Sequence, residues 1–345
     1  MTDQQVGSSA GGMRALLCRD WCDFTDLELT KVPRPPMEEG AVRIRVRAVG
    51  ISYATGLTVS GRYQRKPPRP FVPGTEVAGE ITEVADDVTG FQVGDRVMSF
   101  IDWGGFTEEC VTWAGQVYKM VDTMDWAEAI PLLSSYGTSY GALHMRANMR
   151  PDETVLIHGA AGGVGLAAVE IAKDHGCTVI ARASTEEKRA HLRALGADHV
   201  LDSGNTDFKQ EILDLTDGLG CSLVYDPVGG DVFRTSLRCL DRGGRILTIG
   251  YAGGQDIPEI GMNLLLLKNI SVLGFNWGTY WGWSPPDERV RFQPLRQQVI
   301  DGLNDLFVRG VIQPQVHGTW PLEDYATAWS EITERRALGR VALCP

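Results

Sequence analysis

The sequence predicts a two-domain α/β protein: a six-stranded, doubly wound parallel sheet, preceded by a mainly antiparallel, barrel-like domain. Three observations predict it. The chain has 345 residues, 43% apolar and 22% charged, an ordinary soluble composition with length for about two domains. Residues 13 to about 120 show short strand patterns without a long helix between them, which favours antiparallel pairing. From Thr154 onward, six strand-like stretches follow with helices between most of them, and such crossovers make a parallel sheet.

Each element has its own signal. "MTDQQVGSSAGG" (1–12) is small and polar and reads as a flexible leader. "AVRIRVRAVGI" (41–51) alternates apolar and charged residues, as a strand with one wet face does. "GEITEVADDVTGFQVGDRVM" (79–98) gives two short strands joined by Gly and Asp turns. "DWAEAIPLLSSYGTSYGALHMRAN" (125–148) is helix-like, with Pro131 as a start or kink. Strands are expected at 154–158, 178–182, 199–201, 222–225, 244–249 and 270–275. "RFQPLRQQVIDGLNDLFVRG" (291–310) is an amphipathic helix ended by Gly310. The stretch 311–345 returns to strand-like segments and is expected to pack on the first domain. The expected domains are 13–131 completed by 279–345, and 132–278.

Charge and cysteine usage narrow the partners. A net charge of −11 argues against a protein that tracks nucleic-acid phosphates. Seven scattered cysteines imply no disulfide framework and fit a reducing compartment. No signal peptide is visible. "LLLL" (264–267) is closed by Lys268 and Asn269, far short of the roughly 20 apolar residues of a membrane span. The expectation is a cytoplasmic protein with neither nucleic acid nor membrane as partner.

"TVLIHGAAGGVGLAAVEIAK" (154–173) supplies strand, glycine turn and helix in that order. Its "AAGGVG" (160–165) matches G-x-G-x-x-G with Ala160 in the first glycine position. Ala161, Gly162, Gly163 and Val164 would form the turn, Gly162 admitting a pyrophosphate and Gly165 letting the helix pack closely. The helix N-terminus then offers free N–H groups to the anion. Asp or Glu at the end of the next strand would bind an NAD ribose, but none stands at 181–185. Arg182, Ser184 and, one turn later, Lys188 stand there instead. A cation and hydroxyls suit a 2′-phosphate, so NADPH is the expected cofactor. "STEE" (184–187) is also a capping box, and Ser184 can serve in both roles. Val228 follows the fourth strand, and Gly250 and Tyr251 follow the fifth, at the sheet edge where cofactors lie.

With "AAGGVG", the stretches "VPGTEVAGEITEVADDVTGFQVGDRV" (72–97), "YGTSYGAL" (136–143), "LGADHVLD" (195–202), "YDPVGG" (225–230), "GGRILTIG" (243–250) and "LKNISVLG" (267–274) resemble the medium-chain dehydrogenase/reductase superfamily, in its zinc-free quinone oxidoreductase (zeta-crystallin-like) branch. The resemblance implies a GroES-like catalytic domain and a Rossmann cofactor domain. Zinc relatives place ligands where this chain holds Ser52, Thr75 and Ser134 or Ser135, and neutral hydroxyls are poor zinc ligands; no metal is expected. The resemblance implies transfer of hydride from NADPH to an electrophilic small molecule, a quinone or an α,β-unsaturated carbonyl. It places Tyr63 in the nicotinamide pocket as hydrogen-bond or proton donor, or as a packing aromatic. Relatives often carry an Asn near position 52; here Ser52 stands there, Tyr53 is an alternative donor, and solvent is another. Thr138 would lie near the nicotinamide ribose, and Phe275, Asn276 and Trp277 beside the nicotinamide. Arg335 would reach a cofactor phosphate, or be a solvated cation. The aromatics of "GFNWGTYWGW" (274–283) are expected to line an apolar substrate cleft. "LLLLKNISVLGF" (264–275) is long and apolar for an edge strand, so a homodimer joined near 268–275 is expected. Two further readings stand beside this one. An enoyl-thioester reductase would use Arg62, Arg65, Lys66 and Arg69 of "GRYQRKPPRP" (61–70) as a basic rim for substrate phosphates. An NADPH-binding protein without significant catalysis is the third.

Overall fold

A computed structural model describes residues 12–255 and 259–345; the expected leader falls almost wholly outside them. The chain divides into two units. One unit runs to Ile130 and adds Trp283–Pro285 and Val316–Pro345; the other holds Pro131–Gly282 and Pro286–Gln315. The second boundary differs from expectation, because the helix near 293–308 belongs with the cofactor unit. Its reason is burial: Arg296 is wholly buried, donating to the carbonyls of Tyr280 and Arg289 at 2.6 Å each.

The first unit opens with β1 (Met13–Leu17) and β2 (Glu28–Val32), an antiparallel pair. Next come β3 (Ala41–Ile51), α1 (Tyr53–Val59), β4 (Glu76–Val84), β5 (Arg96–Phe100), β6 (Glu109–Trp113) and β7 (Val117–Lys119). β3 is the organising strand, pairing antiparallel with β4 and β6. Its alternation reads through: Val42, Ile44 and Val46 are buried, while Arg45 and Arg47 face solvent. Arg43 is the exception, buried and satisfied by Glu83 at 2.8 Å and the Pro35 carbonyl at 3.0 Å, as a buried cation must be.

A helical run, Ala129–Pro131, Leu132–Tyr136, Gly137–Tyr140 and Gly141–Arg146, leads into the second unit; its second and fourth parts are wound as π-helix. The six expected strands follow as β8 (Thr154–Ile157), β9 (Thr178–Ala183), β10 (His199–Asp202), β11 (Cys221–Asp226), β12 (Leu240–Thr248) and β13 (Ser271–Gly274). All are parallel, in the order β10-β9-β8-β11-β12-β13. The connecting helices are α2 (Gly163–Asp174), α3 (Glu186–Ala194), α4 (Lys209–Leu215), α5 (Gly230–Cys239) and α6 (Met262–Lys268). Strand order reverses between β8 and β11, the switch point at which ligands bind in such sheets.

"LLLL" was expected within the edge strand but lies in α6. Asn269, in the left-handed conformation at φ 54°, ends that helix, and only Ser271–Gly274 pairs with β12. β13 is nonetheless an end strand of the sheet. α7 (Gln293–Val308) completes the unit, with Gly310 in the left-handed region (φ 71°) just beyond it. The last segment returns to the first unit: β14 (Val316–Pro321), α8 (Tyr325–Thr333) and β15 (Arg340–Cys344). β15 pairs antiparallel with β3, and β14 parallel with β15. No helix among the described residues is long and apolar enough to cross a membrane.

Candidate active site

The second unit builds a cradle at its switch point. After β8, His158 N–H bonds the Tyr225 carbonyl (3.1 Å) and Ala160 N–H bonds the Arg182 carbonyl (3.0 Å), so the turn is held by both flanking strands. Gly159 has φ 56°, a conformation that side chains disfavour. Gly162 caps α2 without a side-chain bond, which leaves the helix's leading N–H groups facing outward. A Cβ on Gly165 would run into the Gly159 carbonyl and stand 2.6 Å from Ala160 Cα. The third glycine therefore sets the close approach of helix and strand, as the fingerprint requires. Gly162, Gly163 and Val164 reach the surface while Ala161 is buried.

The turns after β11 and β12 close on the same edge. Asp226 is buried, and its Oδ1 accepts N–H bonds from Val228 (2.8 Å) and Gly229 (3.0 Å). Oδ2 is buried without a hydrogen-bond partner, and burial pushes the carboxyl up to about 6 against those two backbone bonds. Ala252 and Gly253 N–H bond the Pro227 and Val228 carbonyls, tying the Gly250–Tyr251 turn to the Val228 turn. A Cβ on Gly159 would meet Pro227 and Val228 at about 3.5 Å, so the turns after β8, β11 and β12 are neighbours. Ser139, beside Thr138, donates to the Val164 carbonyl at 2.7 Å and meets Tyr225 Oη at 2.8 Å. Ser139 and Tyr225 were not singled out beforehand. "YGTSY" and "YDPVGG" contain them, but only the fold turns them toward the glycine turn.

The end of β9 is arranged differently from expectation. Arg182 is 1% exposed. Its guanidinium stacks 3.8 Å from the Phe208 ring centroid and donates to the Asp202 and Asn205 carbonyls. It is therefore a structural cation beneath the strand and not a phosphate ligand. Ser184 does not cap α3; Thr185 does, accepting Lys188 N–H at 3.3 Å. Ser184 is exposed beside it. The cation that reaches the strand end is Arg189, one residue past Lys188. It donates to the Ala183 and Ser184 carbonyls (3.3 and 3.1 Å) and pairs with Glu186 and Asp202. Its offset from Ser184 is one helical turn plus one residue, visible only once the cap is known.

The aromatics after β13 also depart from expectation. Trp277 is buried, with its indole N–H on the Leu133 carbonyl at 3.0 Å. Phe275 is buried and packs where a Cβ on Gly141 would be. Asn276 caps the short helix Trp277–Trp281 by accepting Gly278 N–H. Trp281 is wholly buried over Arg296. These rings are packing for the second unit and not the walls of an apolar cleft, because the short helix turns them inward.

In the first unit, the proton-donor candidates lie around α1. Ser52 Oγ accepts Thr55 N–H (3.2 Å) while Thr55 Oγ1 accepts Ser52 N–H (3.1 Å), a reciprocal helix cap. Ser52 is thus a positioning residue for α1 and not a free donor. Tyr53 opens the helix and is exposed. Tyr63 is half-buried, its N–H held by the Leu57 carbonyl at 3.0 Å. Burial raises its phenol above the usual value, Arg65 pulls it down and Glu76 pushes it up, so it stays protonated at neutral pH. Arg335 follows α8 at φ 58°. Zinc does not fit the residues present: Ser52 is committed to its cap, and Thr75, Ser134 and Ser135 offer only hydroxyls. Among the described residues no group of three or more His, Cys, Asp or Glu could hold a metal ion.

Residues 38–161 match the alcohol dehydrogenase GroES-like domain family, and residues 163–290 the zinc-binding dehydrogenase family. A quinone oxidoreductase-like protein 2 homolog of Nematostella vectensis is 36% identical over 88% of this chain and 81% of its own. A quinone oxidoreductase of Pseudomonas aeruginosa is 33% identical over 90% of this chain and 93% of its own. A mycobacterial protein solved in complex with NADPH superposes with a TM-score of 0.87 at 28% identity, covering 96% of this chain and 100% of that one.

Proposed function

This chain belongs to the medium-chain dehydrogenase/reductase superfamily, among its quinone oxidoreductases, and from that premise we propose an NADPH-dependent reductase of quinones or activated alkenes. The chain is an oxidoreductase by its relatives; the cofactor and acceptor are our reading. The observation that carries it is the glycine cradle at the β8/β11 switch point beside a β9 end without a carboxylate at 181–185.

When bound, the cofactor supplies hydride to the acceptor carbon. The chain's residues do the rest. The N–H groups that open α2 would hold the pyrophosphate. Ser184, Lys188 and Arg189 would hold the 2′-phosphate, Arg189 exchanging its pairs with Glu186 and Asp202 for it. Thr138, Val228, Gly250 and Tyr251 would hold the nicotinamide half, with Asp226 fixing the Val228 turn. Tyr63 donates a hydrogen bond, and then its proton, to the acceptor oxygen. The open edge of β13, beside the exposed Leu266 and Leu267 of α6, supports pairing of two copies there.

The enoyl-thioester reading loses support from the loop 61–70. Arg62 donates to Ser60 Oγ (3.0 Å), Arg65 pairs with Asp102 (2.8 Å), and Arg69 pairs with Asp20. Three of its four cations have partners within the unit. NADPH oxidation measured side by side with quinones, enones and enoyl-CoA thioesters tests the proposal; oxidation by enoyl-CoA alone, or by none, overturns it.

Two variants probe the assignments. Tyr63→Phe is expected to lower kcat by about 100-fold with little change in cofactor affinity; an unchanged kcat assigns protonation to solvent. Ser184→Asp is expected to weaken NADPH by about 10- to 100-fold while leaving NADH nearly unchanged, read by quenching of protein fluorescence. Equal losses for both cofactors would remove the 2′-phosphate from this position.

A further inference from the structure

We propose that Ser139 and Tyr225 are positioning residues for hydride transfer: their paired hydroxyls lock the helical segment Gly137–Tyr140 to the glycine turn and so fix where Thr138 stands. This role rests on the reading that the turn binds the cofactor and that Thr138 meets its nicotinamide half. Both hydroxyl residues are wholly buried. Ser139 Oγ lies 2.7 Å from the Val164 carbonyl and 2.8 Å from Tyr225 Oη. A carbonyl only accepts, so the Ser139 proton points to Val164. The proton between the two hydroxyls therefore belongs to Tyr225, which donates to Ser139. Burial pushes the Tyr225 phenol up, against the Ser139 hydrogen bond, so that proton stays in place at neutral pH. The chain from Tyr225 through Ser139 to Val164 runs one way and joins β11, the helical segment and the opening turn of α2.

Neighbouring residues anchor the other sides of the segment. A Cβ on Gly137 would stand 2.6 Å from Trp277 Nε1, and one on Gly141 would stand 2.5 Å from Phe275 Cζ. Tyr140 faces α7, its hydroxyl 3.3 Å from where a Cβ on Gly302 would be. Just before the segment, the buried Tyr136 hydroxyl donates to Glu170 of α2. Thr138 stands among these anchored residues and is partly exposed. The winding shows why anchors are needed. The segment is α-helical, but π-helix precedes it at Leu132–Tyr136 and follows it at Gly141–Arg146. A π turn carries an extra residue and so rotates whatever follows it about the helix axis. Backbone bonds alone therefore do not set the direction of Thr138. Side-chain anchors do, and Ser139 is the adjacent one.

Thr138 and the glycine turn would hold successive parts of one cofactor, so their spacing governs where the nicotinamide carbon comes to lie. A misplacement of about 1 Å at a reacting centre costs on the order of 100-fold in rate. The glycine contacts and the Tyr136–Glu170 bond remain in Ser139→Ala, so a loss of about 10-fold in hydride transfer is expected. That variant also leaves the Tyr225 hydroxyl buried without its acceptor, which lowers stability. Adding Tyr225→Phe removes the orphaned hydroxyl and returns most of that stability. The two effects part in the double variant: stability recovers and hydride transfer does not.

The test compares the full chain with Ser139→Ala and with Ser139→Ala/Tyr225→Phe. Stopped-flow single turnovers of NADPH are read with whichever quinone, enone or enoyl-CoA the wild-type chain reduces fastest. Urea unfolding gives stability, and calorimetry gives the affinity for adenosine 2′,5′-bisphosphate, the adenosine-end fragment of NADPH. In the double variant the urea midpoint is expected near wild type, fragment affinity within about twofold, and hydride transfer still about 10-fold slow. Hydride transfer that recovers together with stability overturns the positioning role and leaves the pair structural. Fragment affinity and hydride transfer that fall by the same factor overturn it too, because the loss is then not confined to the nicotinamide half. A wild-type chain that binds neither NADPH nor the fragment sinks the cofactor reading of the glycine turn, and this role with it.

Discussion

Gly165→Ala is expected to weaken NADPH binding by about 100-fold and to destabilise the second unit by about 1–3 kcal/mol. The added methyl has no room. It would overlap the Gly159 carbonyl and approach Ala160 Cα to 2.6 Å, and both obstacles are backbone. Neither can rotate away as a flexible side chain would, so α2 must back off from β8. That overpacking has the stated cost in stability. It also moves the N–H groups at the start of α2 away from the pyrophosphate, and losing one or two hydrogen bonds to a charged group, about 1.5–3 kcal/mol each, accounts for a loss of that size. Calorimetric titration with NADPH and a urea melt check the two halves separately. Wild-type affinity in Gly165→Ala would remove the cradle from the cofactor site. Gly162 makes a contrast: a Cβ there comes no closer than 3.3 Å to the Gly159 carbonyl, so Gly162→Ala is the milder change for packing.

Glu170→Gln is expected to leave stability nearly unchanged at pH 5 and to raise it by on the order of 3 kcal/mol at pH 8.5. Glu170 lies on the buried face of α2 and is 6% exposed. Its partners are the Tyr136 hydroxyl and the Gln313 N–H (3.1 Å); no cation contributes to its titration. Burial pushes its carboxyl from 4.5 up to about 7, opposed by those two hydrogen bonds. Folding therefore favours the protonated form. The stability tied to this group is fully present below about pH 4.5 and is lost as pH rises through 7. A glutamine keeps the Gln313 bond on its oxygen, turns its amide toward Tyr136, and has no charge to bury. Urea unfolding of both proteins at the two pH values measures the difference. An equal gap at pH 5 and 8.5 would show that Glu170 is not buried as a charge. Asp226, held near 6 by burial, adds to the wild-type slope in the same direction, so only the difference between the two proteins isolates Glu170.

Both predictions concern residues that the sequence displays and does not explain. Gly165 is legible, because its place in "AAGGVG" requires close packing whatever surrounds it. Glu170 is not: in "LAAVEIAK" it reads as one polar residue among apolar ones, and its neighbours arrive from 34 residues before and 143 residues after. Arg182 misled for the same reason. A strand alternates faces, so a cation near the strand end can point to the cofactor or beneath the sheet, and Phe208 with the Asp202 and Asn205 carbonyls decided it.

The sequence alone determined the six parallel strands, the glycine turn and where it sits, and the lack of a carboxylate at the end of β9. These follow from local periodicity and from backbone constraints that travel with the residue type. The tertiary structure alone decided that Thr185 and not Ser184 caps α3, that Arg189 reaches the strand end, and that Ser52 is spent on a cap. It also turned Phe275, Trp277 and Trp281 inward. Each of these is a choice between partners far apart in the chain, and side-chain chemistry admits several partners until packing excludes all but one.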